Sequence, residues 1–285
     1  MAGPLTHDRG HRHAALSRRH CAPRTGILAV FFFFPILVIL FKSIHGPHFT
    51  LSHYEFIVGS SVYRGVFLNT FELAGVVAAV SLAVGLPVAW YLAVGPRRWC
   101  EVVSMVMVLS MWTNLLARTY AWVVLLQDNG PVNKALMALG AITDPLPMMN
   151  SLFAVTIGMT YIMVPFVVIP LRNRIASLDP AVFQAAEICG AGRAVIFCRV
   201  FLPAIATTFA MTGVTVFVMS LGYYITPTLL GSESSMVLAE LIAQLVQSQL
   251  DWGAAGAAAF LLLVMTVILY FVQQTVLAKK SATGR

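Results

Sequence analysis

Long apolar stretches, separated by short polar segments, dominate this sequence of 285 residues. A helix needs about 20 consecutive apolar residues to cross the hydrocarbon core of a bilayer. Six stretches meet that requirement, so the sequence predicts an all-α polytopic membrane protein with six transmembrane helices. Their predicted bounds are 26–44, 68–94, 101–127, 150–171, 204–226 and 253–278. Only 10% of the residues are charged, against about 25% in average soluble domains, which excludes an ordinary soluble domain.

Two apolar stretches do not follow the simple pattern. The third predicted span contains Asn114 and Arg118, which makes it the least regular of the spans. Between Leu229 and Leu250, apolar residues recur at helical spacing with Gln and Glu between them. We expect an amphipathic helix on the outer surface there, and not a further span.

The positions of Lys and Arg predict the orientation in the membrane. Fourteen of the 18 lie before residue 26, at 97–98, within 172–203 or after residue 278. These segments all fall on one side of the membrane, which the positive-inside rule makes the cytoplasm. We therefore expect residues 1–25 to form a basic, disordered cytoplasmic tail, 26–278 the transmembrane domain, and 279–285 a cytoplasmic C-terminal tail. Because this topology accounts for most of the net charge of +7, we expect membrane lipid and not nucleic acid as a partner.

The sequence lacks the motifs that would make this chain an enzyme by itself. GxxxxGK[ST], HExxH and GxSxG are all missing from it. Its cysteines, Cys21, Cys100, Cys189 and Cys198, form no CxxC pair and lie on or near the predicted cytoplasmic face. We expect no catalytic residue, no metal and no cofactor in this chain.

Four polar or aromatic residues in or near the spans are candidates for a transport path. Intramembrane charges such as Glu72 and Arg118 are expensive and often functional, although each can also lie near an interface or pair with the other. Tyr223 and Tyr224 follow a glycine at the outer end of the fifth predicted span. They either stack on a cationic ligand or belong to an interfacial aromatic belt.

The segment 178–203, which we call the elbow, is the one long cytoplasmic connection between predicted spans. Asp179 followed by Pro180 is a helix start. Gly190 and Gly192 end that helix, and Arg193–Phe201 predicts a second short helix before Pro203 opens the next span. A loop of this length is either a solvated connector or a functional surface.

The spacing of residues in the elbow resembles the EAA loop of ABC importer permeases. Gln184-Ala185-Ala186 is followed by Gly190 and by Leu202-Pro203 at the spacings of that loop, with Gln184 where Glu is usual. The resemblance implies a type I ABC importer permease fold, with a cytoplasmic coupling helix between spans 4 and 5 that docks on an ATP-hydrolysing partner. We expect Glu187, which lies on nearly the same face, to supply the charge that Gln184 lacks. The expected coupling residues are Gln184, Ala185, Ala186, Glu187, Gly190, Leu202 and Pro203.

Three further stretches are similar to the permeases of polyamine-type importers. They are LLARTYAW at 115–122, LGYYITP at 221–227 and DWG at 251–253. The resemblance implies a permease of the bacterial inner membrane that imports spermidine or putrescine. Its expected partners are a second permease in a heterodimer, two ATP-binding cassette subunits that bind and hydrolyse ATP, and a periplasmic substrate-binding protein. An opine, a phosphonate, an amino-acid-like solute and a stand-alone secondary carrier remain as alternatives.

Overall fold

The computed structural model describes residues 30, 31, 33–43 and 52–283, and within them the chain is helical without strands. The expected tail at 1–25 and the start of the first predicted span lie outside this part. The helices are α1 (Phe33–Ser43), α2 (Ser52–Gly59), α3 (Ser61–Val94), α4 (Arg97–Trp112), α5 (Leu115–Leu126), α6 (Pro131–Ala138), α7 (Leu152–Ala176), α8 (Pro180–Ile188), α9 (Arg193–Ile196), α10 (Leu202–Leu221), α11 (Ile225–Leu230), α12 (Leu238–Gln247) and α13 (Trp252–Thr283).

In the described part of the chain, four helical segments are long and apolar enough to cross a membrane. They are α3, α7, the run Arg193–Leu221 and the Trp252–Thr275 portion of α13. A fifth is formed if the bent pair that contains α4 and α5 counts as one span. Predicted spans 2, 4, 5 and 6 therefore have helical counterparts. The described part of the first predicted span is α1, a shorter apolar helix.

The third predicted span, 101–127, is wrong as a single straight helix. The chain bends by 105° between α4, which ends at Trp112, and the helix that begins at Leu115. Asn114 stands at the break, and its side-chain oxygen accepts a hydrogen bond of 2.8 Å from the Leu116 N–H. This contact satisfies a backbone donor that a new helix leaves without a partner in its first turn. The polar residue that makes the span irregular therefore caps a second helix.

The predicted second short helix of the elbow is also wrong as a separate element. α9 continues through a π-helical turn at Phe197–Phe201 directly into α10, and the Leu202 N–H bonds the Phe197 carbonyl. Pro203 has no N–H, and its ring would crowd the preceding helical turn. The wider π turn accommodates the proline inside a continuous helix. The helix also ends at Leu221, so the predicted span 204–226 begins and ends too late.

The main core lies between α3 and α7, with α10 packed against both. Val77, Met159, Met163 and Val167 are fully or almost fully buried there. Gly85 of α3 lies directly against the Val167 side chain, so a β-carbon at position 85 would clash with it. The absence of a side chain at residue 85 thus allows the two central helices to approach closely.

A second core lies where α13 packs against α12 and α2. α12 is the amphipathic helix expected between Leu229 and Leu250, and its buried face is formed by Leu238, Leu241 and Leu245. That face packs on the small-residue run at the start of α13, in which Ala254, Ala255, Ala257 and Ala258 are buried. The first turns of α3 thus lie near α12, whereas the last turns of α3 and α7 lie near the elbow.

Candidate functional site

The elbow contains a short helix, α8, whose two ends are fixed by its own sequence. At the start, the Asp179 carboxylate accepts a hydrogen bond of 2.9 Å from the Ala181 N–H, and Pro180 occupies the first turn. Both features are those of a helix N-terminus, where a side-chain acceptor and a residue without an N–H are favoured. The predicted helix start at Asp179-Pro180 is confirmed.

The end of α8 is a Schellman motif centred on Gly190. The Gly190 N–H bonds the Glu187 carbonyl at 2.9 Å, and the Ala191 N–H bonds the Ala186 carbonyl at 3.1 Å. Gly190 has φ +76°, a conformation that a residue with a β-carbon adopts only at a cost. The glycine is therefore needed for its backbone conformation, since the space around it is open.

Phe183 attaches α8 to the rest of the molecule. Its half-buried ring packs, with Leu178, on the main core next to Trp90 and Phe201. The Trp90 and Phe201 rings are 4.2 Å apart between centroids with an interplanar angle of 63°, and Phe197 stacks on Phe201 at 5.4 Å. Sequence reasoning missed this aromatic cluster, because Trp90 comes from the distant end of α3. Phe183 itself carried a signal, because it is the one aromatic residue of α8.

Cavities flank the contact between α8 and the core on both sides. One of about 530 Å³ lies towards the end of α7, and another of about 600 Å³ lies towards α9. Trp90, Phe183 and Phe201 line both cavities, and Glu187 and Arg193 line the second. Close packing is missing on either side of Phe183, and α8 is therefore held on the core by a narrow contact.

The base of the elbow is held by Arg174 at the end of α7. Its guanidinium donates hydrogen bonds of 3.1 Å from Nε and 3.0 Å from Nη2 to the Ala204 carbonyl at the start of α10. The two contacts tie together the two long helices from which the elbow extends. The elbow therefore projects from a fixed base, although α8 itself is weakly attached.

The expected coupling residues lie mostly on the surface. Gln184, Ala185 and Glu187 are exposed, Ala186 is half-buried, and no residue of α8 is buried. Leu202 and Pro203 are exposed in the first turn of α10. The structure thus presents the Gln-Ala-Ala segment outward on a helix with defined ends.

The candidate path residues are brought together only in part. Arg118 on α5 is half-buried, its Nε has no hydrogen-bond partner within the described residues, and its charge acts on the Tyr223 hydroxyl. Nearby, the Thr119 and Thr226 hydroxyls meet at 3.4 Å. Glu72 and Tyr224 are exposed. Within the described residues Glu72 makes no ion pair with Arg118, so the alternative in which these two charges neutralise each other is wrong.

Two curated relatives match nearly the whole chain. The spermidine/putrescine transport system permease protein PotB of Escherichia coli (strain K12) is 27% identical over 266 residues, covering 90% of this chain and 96% of the relative. The permease of the same name from Haemophilus influenzae is 26% identical over 242 residues, covering 85% of this chain and 80% of the relative.

Solved structures of ABC transporters share the fold. A bacterial ABC transporter involved in the import of the acidic polysaccharide alginate superimposes with a TM-score of 0.73 at 20% identity, covering 94% of this chain and 96% of that one. The MetNI methionine ABC transporter, in an inward-facing conformation, gives a TM-score of 0.57 at 16% identity, covering 76% and 95%. These likenesses support an all-α fold of the ABC transporter permease type.

Residues 82–281 match the family described as binding-protein-dependent transport system inner membrane component. The apolar helices described above are those of a membrane protein, and the elbow is exposed on their bundle. The chain belongs to this family, and it is a multi-pass inner membrane protein and a permease subunit of an ABC importer.

Proposed function

We propose that this chain is the permease subunit through which a polyamine, spermidine or putrescine, crosses the inner membrane. The relatives named for spermidine/putrescine transport match it almost from end to end. The observation that carries the mechanism is α8, a helix with a defined start and end that contains no buried residue and is attached mainly through Phe183. A connector without a partner has no need of such a surface.

In this proposal the chain crosses the membrane six times, with both termini in the cytoplasm. The first crossing includes α1, and the bent pair that contains α4 and α5 forms the third. The distribution of Lys and Arg supports the orientation, since it assigns the elbow to the cytoplasm. The 225–247 segment then lies on the periplasmic side.

The assembly contains a second permease, two ATP-binding cassette subunits and a periplasmic substrate-binding protein. The binding protein delivers the solute, and the ATPase pair binds and hydrolyses ATP, so this chain performs no chemistry. Gln184, Ala185, Ala186 and Glu187 of α8 contact an ATPase subunit, with Gly190 shaping the turn. Small side chains at 185 and 186 support this role, because they let another backbone approach closely.

Movement of α8 reaches the membrane helices through Phe183 and the Trp90–Phe201 contact in this proposal. Tilting about Phe183 shifts the start of α10 and the end of α3 together, because both contribute to the aromatic cluster. The path itself passes Arg118 and Tyr223 near its outer end, with Glu72 and Tyr224 on exposed surfaces facing either the path or a partner.

The native cysteines of the elbow allow a direct test. Cys189 and Cys198 are exposed, whereas Cys100 is buried. In a Cys21→Ser background, a membrane-impermeant maleimide should label inside-out vesicles and leave intact spheroplasts unlabelled. Adding the ATPase subunits should protect Cys189. Labelling of the elbow from outside the spheroplast would contradict the proposed topology and the coupling role together.

The substrate is tested with the complete importer in proteoliposomes. Spermidine and putrescine should accumulate only when ATP and the binding protein are both supplied. Glu187→Gln should lower the uptake rate and weaken ATPase docking. The matched control is Glu101→Gln, which removes a surface carboxylate that pairs with Arg97 and should leave both unchanged. Uptake without ATP would instead indicate a secondary carrier. Unchanged docking in Glu187→Gln would remove that residue from the proposal.

A further inference from the structure

Two side chains of opposite charge, at the end of the bundle that carries the 225–247 segment, have no partner in their own chain. Glu72 of α3 is exposed, and Arg118 of α5 is half-buried. Within the described residues, neither side chain makes a hydrogen bond or an ion pair. The Nε of Arg118 is enclosed, but its two terminal nitrogens reach the surface. An acceptor from outside the chain can therefore contact the guanidinium.

Both charges lie beside the last turns of α10. Glu72 directly follows Phe71, whose ring centroid is 6.1 Å from that of Phe217 on α10. On α5, the charge of Arg118 acts on the hydroxyl of Tyr223, which comes two residues after the end of α10. The two charged side chains thus border the same helix, although they do not pair with each other.

α10 is also the least covered of the four long apolar helices in the described part of the chain. Only 11% of the apolar stretch in the run that contains α10 is buried, against 61% in α7. In its middle turns the exposed residues are Ala206, Ala210, Met211 and Thr215, so all but one are small. The exposed residues of α13, by contrast, are mainly large and apolar, such as Phe271. Because small residues let another helix approach closely, this face of α10 suits a protein neighbour, whereas that of α13 suits lipid.

The depth of Arg118 favours a neighbour that is itself embedded in the membrane. The adjacent Thr119 hydroxyl meets that of Thr226 at 3.4 Å, and Thr226 lies against Gly158. Gly158 is six residues, or about 9 Å, into α7. A second membrane subunit reaches this depth more readily than a soluble protein that docks on the surface.

An unpaired charge at this depth is unfavourable. Ionisable side chains in membrane-spanning segments are usually paired or face water, and a guanidinium that is taken out of water needs a counter-ion. A twofold interface can supply one for each charge. In such an interface, residue i of one subunit meets residue j of the other, and residue j of the first meets residue i of the second.

We propose that the outer half of α10 faces the second permease subunit, and that Glu72 and Arg118 form two reciprocal ion pairs with it, an inference that rests on the proposed function above. A pseudo-twofold axis relates the two permeases. A basic side chain of the second permease pairs with Glu72, and an acidic one pairs with Arg118. A polyamine is a cation and cannot neutralise Arg118, so the acceptor is a carboxylate of the neighbouring protein.

Photo-crosslinking in the complete purified importer tests the position of the interface. The crosslinking residue p-benzoylphenylalanine replaces Glu72, Arg118 or, as the control, Ile268, an exposed residue of α13. We expect positions 72 and 118 to crosslink to the second permease, identified by mass spectrometry, and position 268 to give no crosslink to protein. Crosslinks to the binding protein alone or to lipid alone would overturn the interface. A crosslink to the second permease from one of the two positions alone would contradict the reciprocal arrangement.

The affinity between the two permeases in detergent tests the charges. Glu72→Gln and Arg118→Gln should each lower it about tenfold, the effect of losing one hydrogen bond between charged groups. Arg118→Lys should retain most of the affinity, because it keeps the charge. Glu55→Gln on α2 and Lys134→Gln on α6 remove exposed charges elsewhere and serve as matched controls. Unchanged affinity in either Glu72→Gln or Arg118→Gln would overturn the reciprocal pairing.

Failure of the proposed function gives different results. If the chain pairs with a second copy of itself, position 72 of one copy should crosslink close to position 118 of the other. The heterodimer is then wrong, and the reciprocal pairing is supported. If the importer instead carries an anionic solute, and Arg118→Gln lowers its uptake without weakening the permease pair, Arg118 binds the solute and the proposed ion pair is wrong.

Discussion

The elbow and the 225–247 segment connect long helices at opposite ends of the bundle, and they are built in opposite ways. In the elbow, α8 contains no buried residue. The 225–247 segment buries an almost continuous face, formed by Thr226, Pro227, Leu230, Val237, Leu238, Leu241 and Leu245. Both segments have well-defined helices. Only the second, however, uses them to complete the core of its own chain.

Hydrogen bonds strengthen the contrast. The Asn69 side-chain amide donates to the Ser234 carbonyl at 2.9 Å, and the Thr70 hydroxyl accepts from the Leu238 N–H at 2.8 Å. These bonds fasten the 225–247 segment to α3. In the elbow, by contrast, α8 is held on the core mainly through Phe183 and the adjacent Leu178, and the Arg174–Ala204 contact ties together the helices at its base. A helix such as α8, with defined ends and an uncovered surface, is suited to binding a partner. A helix such as α12, which is buried along one face, is suited to stabilising the fold of its own chain.

The largest expected difference between the two segments is in stability. Leu238→Ala removes a fully buried side chain and should lower the free energy of unfolding by about 2–5 kcal/mol. Ile188→Ala at the end of α8 removes a side chain that is 87% exposed. It should change the free energy of unfolding by less than about 0.5 kcal/mol. Denaturant unfolding of both variants in detergent measures the difference. Equal losses would show that α8 is as much part of the core as α12.

Removing the Thr70 hydroxyl, which accepts from the Leu238 N–H and donates to the Val66 carbonyl at 2.6 Å, should have a smaller effect on the 225–247 segment. Thr70→Val preserves shape and leaves the Leu238 N–H without its partner, which should cost about 1–3 kcal/mol. Thr215→Val serves as the control, since its exposed hydroxyl bonds only the Met211 carbonyl of its own helix. Hydrogen exchange at Leu238 should accelerate in Thr70→Val alone. Unchanged exchange there would mean that burial by itself holds α12 in place.

The helix start of the elbow gives a still smaller and more local effect. Asp179→Ala removes the carboxylate that accepts from the Ala181 N–H, at a cost of about 1 kcal/mol to α8. Asp179→Asn retains an acceptor and should behave like the wild type. Because α8 is attached by a narrow contact, we expect faster hydrogen exchange across 180–188 with little change in global unfolding. Global destabilisation would contradict the local character of the elbow.

Local chemistry explains why the ends of α8 were predictable from sequence. Asp179-Pro180 and Gly190 act within one helical turn, so their effect does not depend on the rest of the fold. The effect of Pro203 was predicted wrongly, because a π turn absorbs the proline and lets the helix continue. Asn114 signalled a break in the third span, but its sequence position carries no information about the angle.

Contacts between distant parts of the chain could not be predicted in the same way. Asn69 and Ser234 are 165 positions apart, and no periodic pattern links them. Ser110 of α4 and Trp122 of α5 line the same space of about 450 Å³ beside α7, and this proximity depends on the direction of the bend at Asn114. The proximity of Arg118 and Tyr223 likewise depends on how α11 is placed against α5. The pattern of apolar residues in the sequence therefore predicted most of the helices, but it did not predict which residues of different helices lie together.

Glu240 makes the stability of the 225–247 segment depend on pH. Partial burial raises the pKa of this carboxyl above its ordinary value, although hydrogen bonds from the Val237 backbone and the Thr228 side chain oppose the shift. A raised pKa means that the folded chain binds the proton more tightly than the unfolded chain does. The stabilising contribution is thus fully present below the ordinary glutamate pKa. This contribution is lost as the pH rises from the ordinary glutamate pKa through the raised pKa of Glu240 in the folded chain.

Glu240→Gln should abolish the decrease in the free energy of unfolding with rising pH. At neutral pH the variant should therefore be more stable than the wild type, and this difference should be the smallest of those predicted here. Unfolding free energies measured from about pH 4 to pH 8 give the slope, and Glu233→Gln, an exposed neighbour in the same segment, should retain the wild-type slope. Because the ionised form of Glu240 is disfavoured only while α12 is packed, the pH dependence reports on that packing. A wild-type slope in Glu240→Gln would mean that the segment is more open to water than its buried face indicates, and the contrast with the elbow would weaken.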